Sequence, residues 1–425
     1  MAVVSAALVM GWPAPAGADG TRDQQWQVGY LDLARAHELS QGEGVTVAVI
    51  DTGVDGTHPD LEGNVLPGID AYSVANGGQP GDGWNDTHGH GTAMAGLIAA
   101  HGHGPGNGDG ALGIAPQAKI IPMRVSDGEG NAAYQQAMDL AIAEAISRDV
   151  DIISLSQRGF DLLGIEPALD AGILVVVAGG NAPGDGFVNA PSGSLVVGAV
   201  RADGSVADVT TRGIRPPPPV DELGSTTALQ TGFLILTAPG EGITSTTLDH
   251  GYRSGTGTSD STAIVSGAAA LVMARYPDLT AEQVMSHLVE TSTDKGAPGP
   301  DVDYGWGDLD IVRALETEPT IPTTTVTTQA PTTIAPQPGD GGETAGAEPG
   351  DGSDIAAPWL VVAVGAVVAA AAAFGLSAAS RRRHAPAFAG TGVAPPPPGP
   401  ARPGPIGAPP PPGPAPGPMG APPPP

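Results

Sequence analysis

Short apolar runs recur through the first 200 residues of this chain and limit the folds available to it. Each is rich in Val, Ile or Leu and is bounded by glycine or polar residues. The runs lie at 45–50, 118–125, 149–156, 172–178 and 194–200. Continuous runs of this kind are typical of parallel strands buried on both faces. Residues 132–148 have the apolar spacing of a helix that covers one face. The sequence therefore predicts an α/β fold, a three-layer α/β/α sandwich with a mainly parallel sheet.

Three polar residues lie where predicted strands and helices meet. Asp51 directly follows the first apolar run. His90 opens a segment of small and helix-forming residues, and Ser259 precedes a long apolar stretch at 263–276. Ligands bind beyond the carboxyl ends of the strands in open parallel sheets, so the three side chains are expected to converge there. A serine hydroxyl needs an adjacent base, and histidine titrates near neutrality. We predict Ser259 as nucleophile, His90 as general base and Asp51 as the carboxylate that orients His90.

The surroundings of these residues match a known pattern. Taken singly, each residue is better explained as a turn or helix cap. Together they stand in the blocks VAVIDTGVDGTHPDL at 47–61, HGHGTAMAGLIAA at 88–100 and GTGTSDSTAIVSGAAAL at 255–271. The order Asp, His, Ser is that of subtilisin. The chain thus resembles the subtilase family, which implies a subtilisin-like fold and a serine endopeptidase acting on polypeptides.

The resemblance extends to the substrate-binding residues. Asn181 follows the run at 172–178, where subtilases carry the side-chain donor of the oxyanion hole; a plain Gly-Asn turn is the alternative. Residues 152–156 resemble the edge along which subtilases hold an extended peptide by main-chain hydrogen bonds. Leu155 and Ser156 are therefore expected to bind substrate.

The chain departs from the subtilase pattern at four positions. Gln157 and Arg158 stand where subtilases generally have Leu and Gly, so we expect an unusual substrate preference; a solvated loop charge at Arg158 is the alternative. Asp260 replaces the usual apolar residue after the nucleophile, and Ala263 replaces a proline. A carboxylate at 260 should raise the pKa of His90 and disfavour an oxyanion. We expect activity that is reduced or shifted in pH.

Composition excludes several other classes of chemistry. The chain has no Cys, which rules out thiol catalysis and Cys-ligated metal. No HExxH spacing occurs among the clustered histidines His88, His90, His101 and His103. We predict no metal site and no required cofactor; calcium is common in subtilases and stays open, since no loop has a defined calcium spacing. All 45 acidic residues lie at or before Asp354, so nucleic acid is not an expected partner.

The N-terminal end predicts export. Residues 2–12 are apolar and lead to the small residues Ala16, Gly17 and Ala18, as in a signal peptide, although the usual basic flank is missing. A frayed apolar terminus is the alternative. We predict a signal peptide at 1–18, a short extension at 19–44 and the peptidase domain at 45–315.

The C-terminal end predicts a membrane anchor. Residues 316–354 are rich in Thr, Pro and Gly and are expected to form an extended linker. Residues 355–380 carry no charge and are long enough to cross a bilayer as a single transmembrane helix, a buried core helix being the alternative. The arginines at 381–383 place the Pro/Gly-rich tail, 381–425, in the cytoplasm and the protease domain outside.

This layout, together with YGWG at 304–307, is similar to that of the mycosins, the membrane-anchored subtilases associated with type VII secretion. The resemblance implies processing of secreted proteins beside a secretion machinery. Two hypotheses remain beside it. One is a catalytically weak or inactive subtilase that is a structural component of a secretion complex. The other is a surface binding module that recruits partners through its tail or its acidic ectodomain.

Overall fold

The computed structural model describes residues 20–128, 133–156, 162–182, 189–191, 193–213, 216–219, 229–231 and 234–320. The strands are β1 (Thr46–Asp51), β2 (Ile69–Asp70), β3 (His101–His103), β4 (Asp109–Leu112), β5 (Lys119–Arg124), β6 (Ile152–Leu155), β7 (Leu174–Ala178), β8 (Asn189–Pro191), β9 (Leu195–Val200), β10 (Leu229–Thr231), β11 (Leu236–Pro239), β12 (Glu241–Thr246) and β13 (Tyr252–Thr256). The α-helices are α1 (Trp26–Tyr30), α2 (Leu33–Leu39), α3 (Ala71–Ala75), α4 (His90–Ala99), α5 (Tyr134–Ser147), α6 (Glu166–Asp170), α7 (Thr258–Arg275), α8 (Ala281–Glu290) and α9 (Ile311–Glu316). Short 3-10 helices lie at Arg22–Gln24, Pro105–Asn107 and Leu162–Ile165.

The central sheet has seven strands in the order β11-β9-β7-β6-β1-β5-β2, and every neighbouring pair is parallel. The five apolar runs of the sequence form β1, β5, β6, β7 and β9, which confirms the predicted α/β fold. The sequence did not predict β2 and β11, because two and four residues give too little pattern. Three antiparallel pairs, β3-β4, β8-β10 and β12-β13, lie outside this sheet.

The strand order creates a crevice beside β1. From β1 the chain passes to β2 at the edge of the sheet, returns to β5 beside β1, and then crosses β1 to reach β6 on its other side, so the order of the strands reverses at β1. Helix α4 packs against α7, whereas α5 packs against α3 and α6. Ligands are bound at such a reversal, beyond the carboxyl ends of the strands, which here are the ends of β1 and β6.

Helices α4 and α7 are buried almost all round. Every residue from 91 to 99 and from 258 to 272 is buried. Small residues make this close packing possible: a Cβ at Gly267 in α7 would lie 2.6 Å from Cβ of Ile114. A helix that is apolar on all sides belongs inside the protein. Close packing of both helices therefore fixes the positions of their first residues.

The segment before β1 is packed onto the domain. Gln25 donates from Nε2 to the main-chain oxygen of Thr244 in β12, at 3.2 Å. The Tyr30 hydroxyl donates to Oδ2 of Asp308, and burial together with this bond raises the pKa of Tyr30 to about 12. The tyrosine thus stays a donor throughout the physiological range. The predicted extension, as far as the structure describes it, is an integral part of the protein surface.

The two ends of this domain also meet. Arg35 in α2 forms an ion pair with Glu316 at the end of α9, Nη2 to Oε1, at 2.7 Å. The hydroxyl of Tyr276, which follows α7, donates to the main-chain oxygen of Leu315 at 2.9 Å. Helix α9 therefore packs beside α2 and the carboxyl end of α7.

Several predicted features lie outside the described residues. They are the signal peptide at 1–18, the linker beyond 320, the transmembrane helix at 355–380, the tail at 381–425, and Gln157 with Arg158. By internal contacts the chain divides into Met1–Thr327 and Thr328–Pro425, and all described residues belong to the first unit. None of the helices in the described part combines the length and the apolar character needed to cross a membrane.

Candidate active site

Asp51 and His90 form a hydrogen-bonded pair at the carboxyl end of β1. Asp51 is the last residue of that strand and is fully buried. His90 is the first residue of α4, and its Nδ1 lies 2.8 Å from Oδ1 and 2.9 Å from Oδ2 of Asp51. The approach depends on Gly91, where a Cβ would lie 2.0 Å from the main-chain oxygen of Gly53. The structure thus brings together two residues that are 39 positions apart in the chain.

Opposing effects act on the pKa of His90. Burial lowers this pKa, but the charge of Asp51 and its hydrogen bond outweigh burial and raise it. Farther away, Arg253 lowers the pKa and Asp260 raises it. Because Nδ1 faces Asp51, Nε2 is the nitrogen left for proton transfer. His90 is therefore oriented as a base whose protonated form is stabilised.

Ser259 lies in the first turn of α7, which begins one residue earlier, at Thr258, and not after the serine as the sequence predicted. Its side-chain oxygen donates to the main-chain oxygen of Ser156 at 3.0 Å, and the Ser156 hydroxyl donates back to the main-chain oxygen of Ser259 at 3.2 Å. This reciprocal pair ties the start of α7 to the end of β6. Transfer of the Ser259 proton to His90 requires the hydroxyl to turn away from Ser156.

Asn181 follows β7 and contacts the residue before the serine. Its Oδ1 accepts from the main-chain nitrogen of Thr258 at 2.7 Å and from the Thr258 hydroxyl at 2.8 Å. These donors fix the orientation of the amide, so Nδ2 is the group free to donate to another molecule. A Cβ at Gly257 would lie 2.8 Å from Nδ2, so glycine keeps this space open. An amide donor beside the first turn of α7 fits the predicted oxyanion-hole role.

We expect Asn181→Ala to lower kcat about 10²- to 10³-fold with little change in KM, because an oxyanion donor acts mainly in the transition state. Steady-state kinetics on a peptide substrate measures both constants. Asn76→Ala, an exposed asparagine elsewhere, is the control. If Asn181→Ala raised KM and left kcat unchanged, the oxyanion-hole role of Asn181 would be contradicted.

The predicted substrate-binding edge needs a correction. Strand β6 is not an edge: it lies between β1 and β7, and Leu155 is opposite both Ile50 and Val177. The Leu155 side chain is fully buried, so only its main chain remains for a substrate role. A local run of apolar residues does not reveal how many neighbours a strand has. Ser156 lies just beyond the paired residues, and its substrate-binding role stays a prediction.

Asp260 is a buried carboxylate that directly follows Ser259. Its side chain is 4% exposed, and Oδ1 lies 3.4 Å from Nη2 of Arg253 in β13. Glycine at 255 leaves room for it, since a Cβ there would be 3.0 Å from both carboxylate oxygens. Burial raises the pKa of Asp260 to about 6, against the opposing charges of Arg253 and His90. The sequence indicates Asp260 as a residue that affects the site. It does not indicate Arg253, because no local motif marks its place in the β12-β13 hairpin.

We expect Asp260→Asn to move the acidic limb of kcat/KM to lower pH. The base form of His90 is the neutral one, so kcat/KM rises with pH through the pKa of His90. Asp260 raises that pKa, and its removal leaves Arg253, which lowers it. A pH profile measures the shift. The control is Asp208→Asn, which removes an equal charge from an exposed side chain and should leave the acidic limb in place. If the acidic limb stayed in place in Asp260→Asn as well, the effect of Asp260 on the pKa of His90 would be contradicted.

Ala263, which replaces the usual proline, lies fully buried within α7 and continues the helix. Within the part of the chain that the structure describes, no group of three or more His, Cys, Asp or Glu side chains is placed to hold a metal ion. The clustered histidines have other contacts: His103 Nδ1, for instance, lies 2.6 Å from Oδ1 of Asp60.

Comparison with known proteins identifies the family of the chain. The subtilase family pattern matches residues 42–307. The thermostable alkaline protease of Halalkalibacterium halodurans is 33% identical over 300 residues, which cover 68% of this chain and 73% of that protein. Mycosin-1 of Mycobacterium tuberculosis is 31% identical over 342 residues, covering 70% of this chain and 74% of mycosin-1. The solved structure of MycP3 protease from the type VII (ESX-3) secretion system matches with a TM-score of 0.54 and 28% identity, over 71% of this chain and 90% of that one. The chain therefore belongs to the subtilase family of serine endopeptidases, and mycosins are among its relatives.

Proposed function

We propose that this protein is a membrane-anchored, extracytoplasmic serine endopeptidase that uses Asp51, His90 and Ser259 as its catalytic triad and Asn181 in its oxyanion hole. The observation that carries the proposal is the Asp51–His90 pair, placed at the carboxyl end of β1 beside the switch in strand order. Ser259 lies at the start of a buried helix and within the residues that match the subtilase family, which supports its proposed role.

In this mechanism Ser259 Oγ attacks the peptide carbonyl while His90 Nε2 takes its proton. Asp51 stabilises the imidazolium that results. The Asn181 amide and the main-chain N–H of Ser259, in the first turn of α7, hold the oxyanion. His90 then donates the proton to the leaving amine, and water releases the acyl group by the same steps in reverse order. The substrate backbone binds beside Ser156.

The proposal includes a location. Residues 1–18 direct export, 355–380 cross the cell membrane once, and the tail at 381–425 stays in the cytoplasm. The substrates are then secreted polypeptides. The relationship to mycosin-1 and to a protease of a type VII secretion system supports processing beside that machinery. The acidic ectodomain does not favour nucleic acid as a partner, and the proposed triad needs no cofactor.

A membrane-impermeant fluorophosphonate probe, applied to intact cells that express the full chain, tests activity and location together. We expect a labelled band in the membrane fraction, because an activated serine reacts without a specific substrate. The matched control is Ser259→Ala, which should lose the label. Truncation after residue 354 should release the labelled protein from the membrane. Labelling that appears only after lysis would contradict the outward orientation.

A second candidate is a catalytically weak or inactive subtilase that serves as a structural component of a secretion complex. Two observations favour it: the Ser259 hydroxyl is directed at Ser156, and the Asp260 carboxylate is buried beside it. If the folded wild-type protein took no label, and the Ser259→Ala variant supported secretion as well as the wild type, this candidate or a pure binding module would be established. A secretion defect caused by Ser259→Ala would exclude both.

A further inference from the structure

Asp86 is a buried carboxylate that lies four residues before His90 and outside the triad. It is 9% exposed. Its Oδ1 accepts from the main-chain nitrogens of His88 and Gly89, each at 2.9 Å. Its Oδ2 accepts from the Thr92 nitrogen at 3.0 Å and from the Thr92 hydroxyl at 2.6 Å. The carboxylate therefore holds the turn before His90 and the first turn of α4, where a helix favours negative charge.

The same carboxylate also reaches the end of β1. Oδ1 accepts from the hydroxyl of Thr52 at 2.9 Å, and Thr52 directly follows Asp51. The Thr52 oxygen in turn accepts from the main-chain nitrogen of Gly91 at 3.0 Å, and Gly91 directly follows His90. A continuous set of hydrogen bonds thus joins the neighbours of Asp51 to the neighbours of His90.

We propose that Asp86 is a positioning residue of the catalytic triad, which fixes the separation and orientation of Asp51 and His90 through Thr52, Thr92 and the turn at 88–89. The inference rests on the proposed function, because it assigns the triad its supporting group. Asp86 acts through these residues and is not itself a catalytic residue. A misplacement of about 1 Å at reacting groups costs about 10²-fold in rate, so such a group carries a large effect without touching substrate.

The test is Asp86→Asn in the full chain. The amide replaces one carboxylate oxygen with a donor, so at least one N–H or O–H loses its acceptor. We expect kcat to fall about 10- to 100-fold and KM to stay within about twofold. Asp51 raises the pKa of His90, so a looser pair should lower that pKa. An NMR titration of His90 measures this shift; the other groups that face His90, namely Arg253, Asp260 and His88, are left unchanged.

Asp60→Asn is the matched control. Asp60 is a fully buried carboxylate that accepts from the Ala111 nitrogen at 2.7 Å and the Tyr252 hydroxyl at 3.0 Å, away from the residues that flank the triad. We expect it to lower thermal stability but to leave kcat and the pKa of His90 unchanged. Equal losses of kcat in the two variants, or an unmoved His90 pKa in Asp86→Asn, would overturn the proposal. The NMR titration does not depend on enzymatic activity. If the wild-type chain proved inactive, the proposed function would fail, but the titration would still test the role of Asp86.

Thr52 supplies a second test, which also serves if Asp86→Asn does not fold. Thr52→Val keeps the shape but removes the hydroxyl that joins Asp86 to Gly91. We expect a loss of kcat about 10-fold or more. Thr52→Ser restores the hydroxyl and should recover most of the activity. Equal activity of the Val and Ser variants would overturn the proposed link.

Discussion

Replacement of Ser259 by Ala is expected to lower kcat by about 10⁶-fold, the size of loss that follows removal of the nucleophile in subtilisin. The change removes one buried oxygen, and its main losses are the attacking atom and the hydrogen bond to Ser156. The fold should persist, since the residues around 259 in α7 are held by packing on all sides. Single-turnover kinetics on a fluorogenic peptide measures the chemical step directly.

Ser266→Ala is the control for this variant. Ser266 lies in the same helix, is fully buried, and donates its hydroxyl to the main-chain oxygen of Thr262 at 2.8 Å. It should lose a similar hydrogen bond and keep its activity. If Ser259→Ala kept more than about a hundredth of the wild-type rate, another residue would have to supply the nucleophile.

Replacement of Asp51 by Asn is expected to lower kcat by about 10⁴-fold, because the amide favours the wrong tautomer of His90. The same change removes the group that raises the pKa of His90, so that pKa should fall. Since the neutral imidazole is the base, the remaining activity should extend to lower pH than in the wild type. A pH profile of kcat/KM, taken with enough enzyme to see the residual rate, measures both effects.

The exposed Asp139 offers a control, since Asp139→Asn makes the same chemical change on the surface of α5. The double variant with Ser259→Ala gives a second criterion. Residues that act as one unit are not additive, so the double variant should be no slower than Ser259→Ala alone. Independent, multiplying losses would mean that Asp51 acts outside the triad.

Local sequence indicates Asp51, His90 and Asn181 as candidate site residues, because each one follows a recognisable element: an apolar strand, a glycine turn or a strand with two glycines. The parallel sheet was predictable for the same reason. The start of α7 was placed too late, since the polar residues before Ala263 hide a helix that begins at Thr258. Their burial against the end of the sheet, and not their helix propensity, decides that boundary.

Contacts between distant segments could not be predicted. Tyr30 and Asp308 are 278 positions apart, and nothing in either segment specifies the other. Asp86 lies two residues before the motif block at 88–100. Its five hydrogen-bond donors come together only when β1 and α4 meet, so the local sequence does not reveal them. The local sequence around Leu155 does not show that β6 is an interior strand, because the position of a strand within a sheet depends on the order of all the strands.

Helix α7 has a further consequence through its length. It contains 18 residues and therefore spans about 27 Å. Ser259 lies at one end of it, and Tyr276, which holds Leu315, follows the other. Any protein fused after Glu316 would thus join the domain at the far end of this helix, away from Ser259. A mechanical force applied to the chain after Glu316 would act first on the contacts of α9 with α2. Fusion or surface immobilisation after Glu316 should leave the crevice beside β1 open to large substrates.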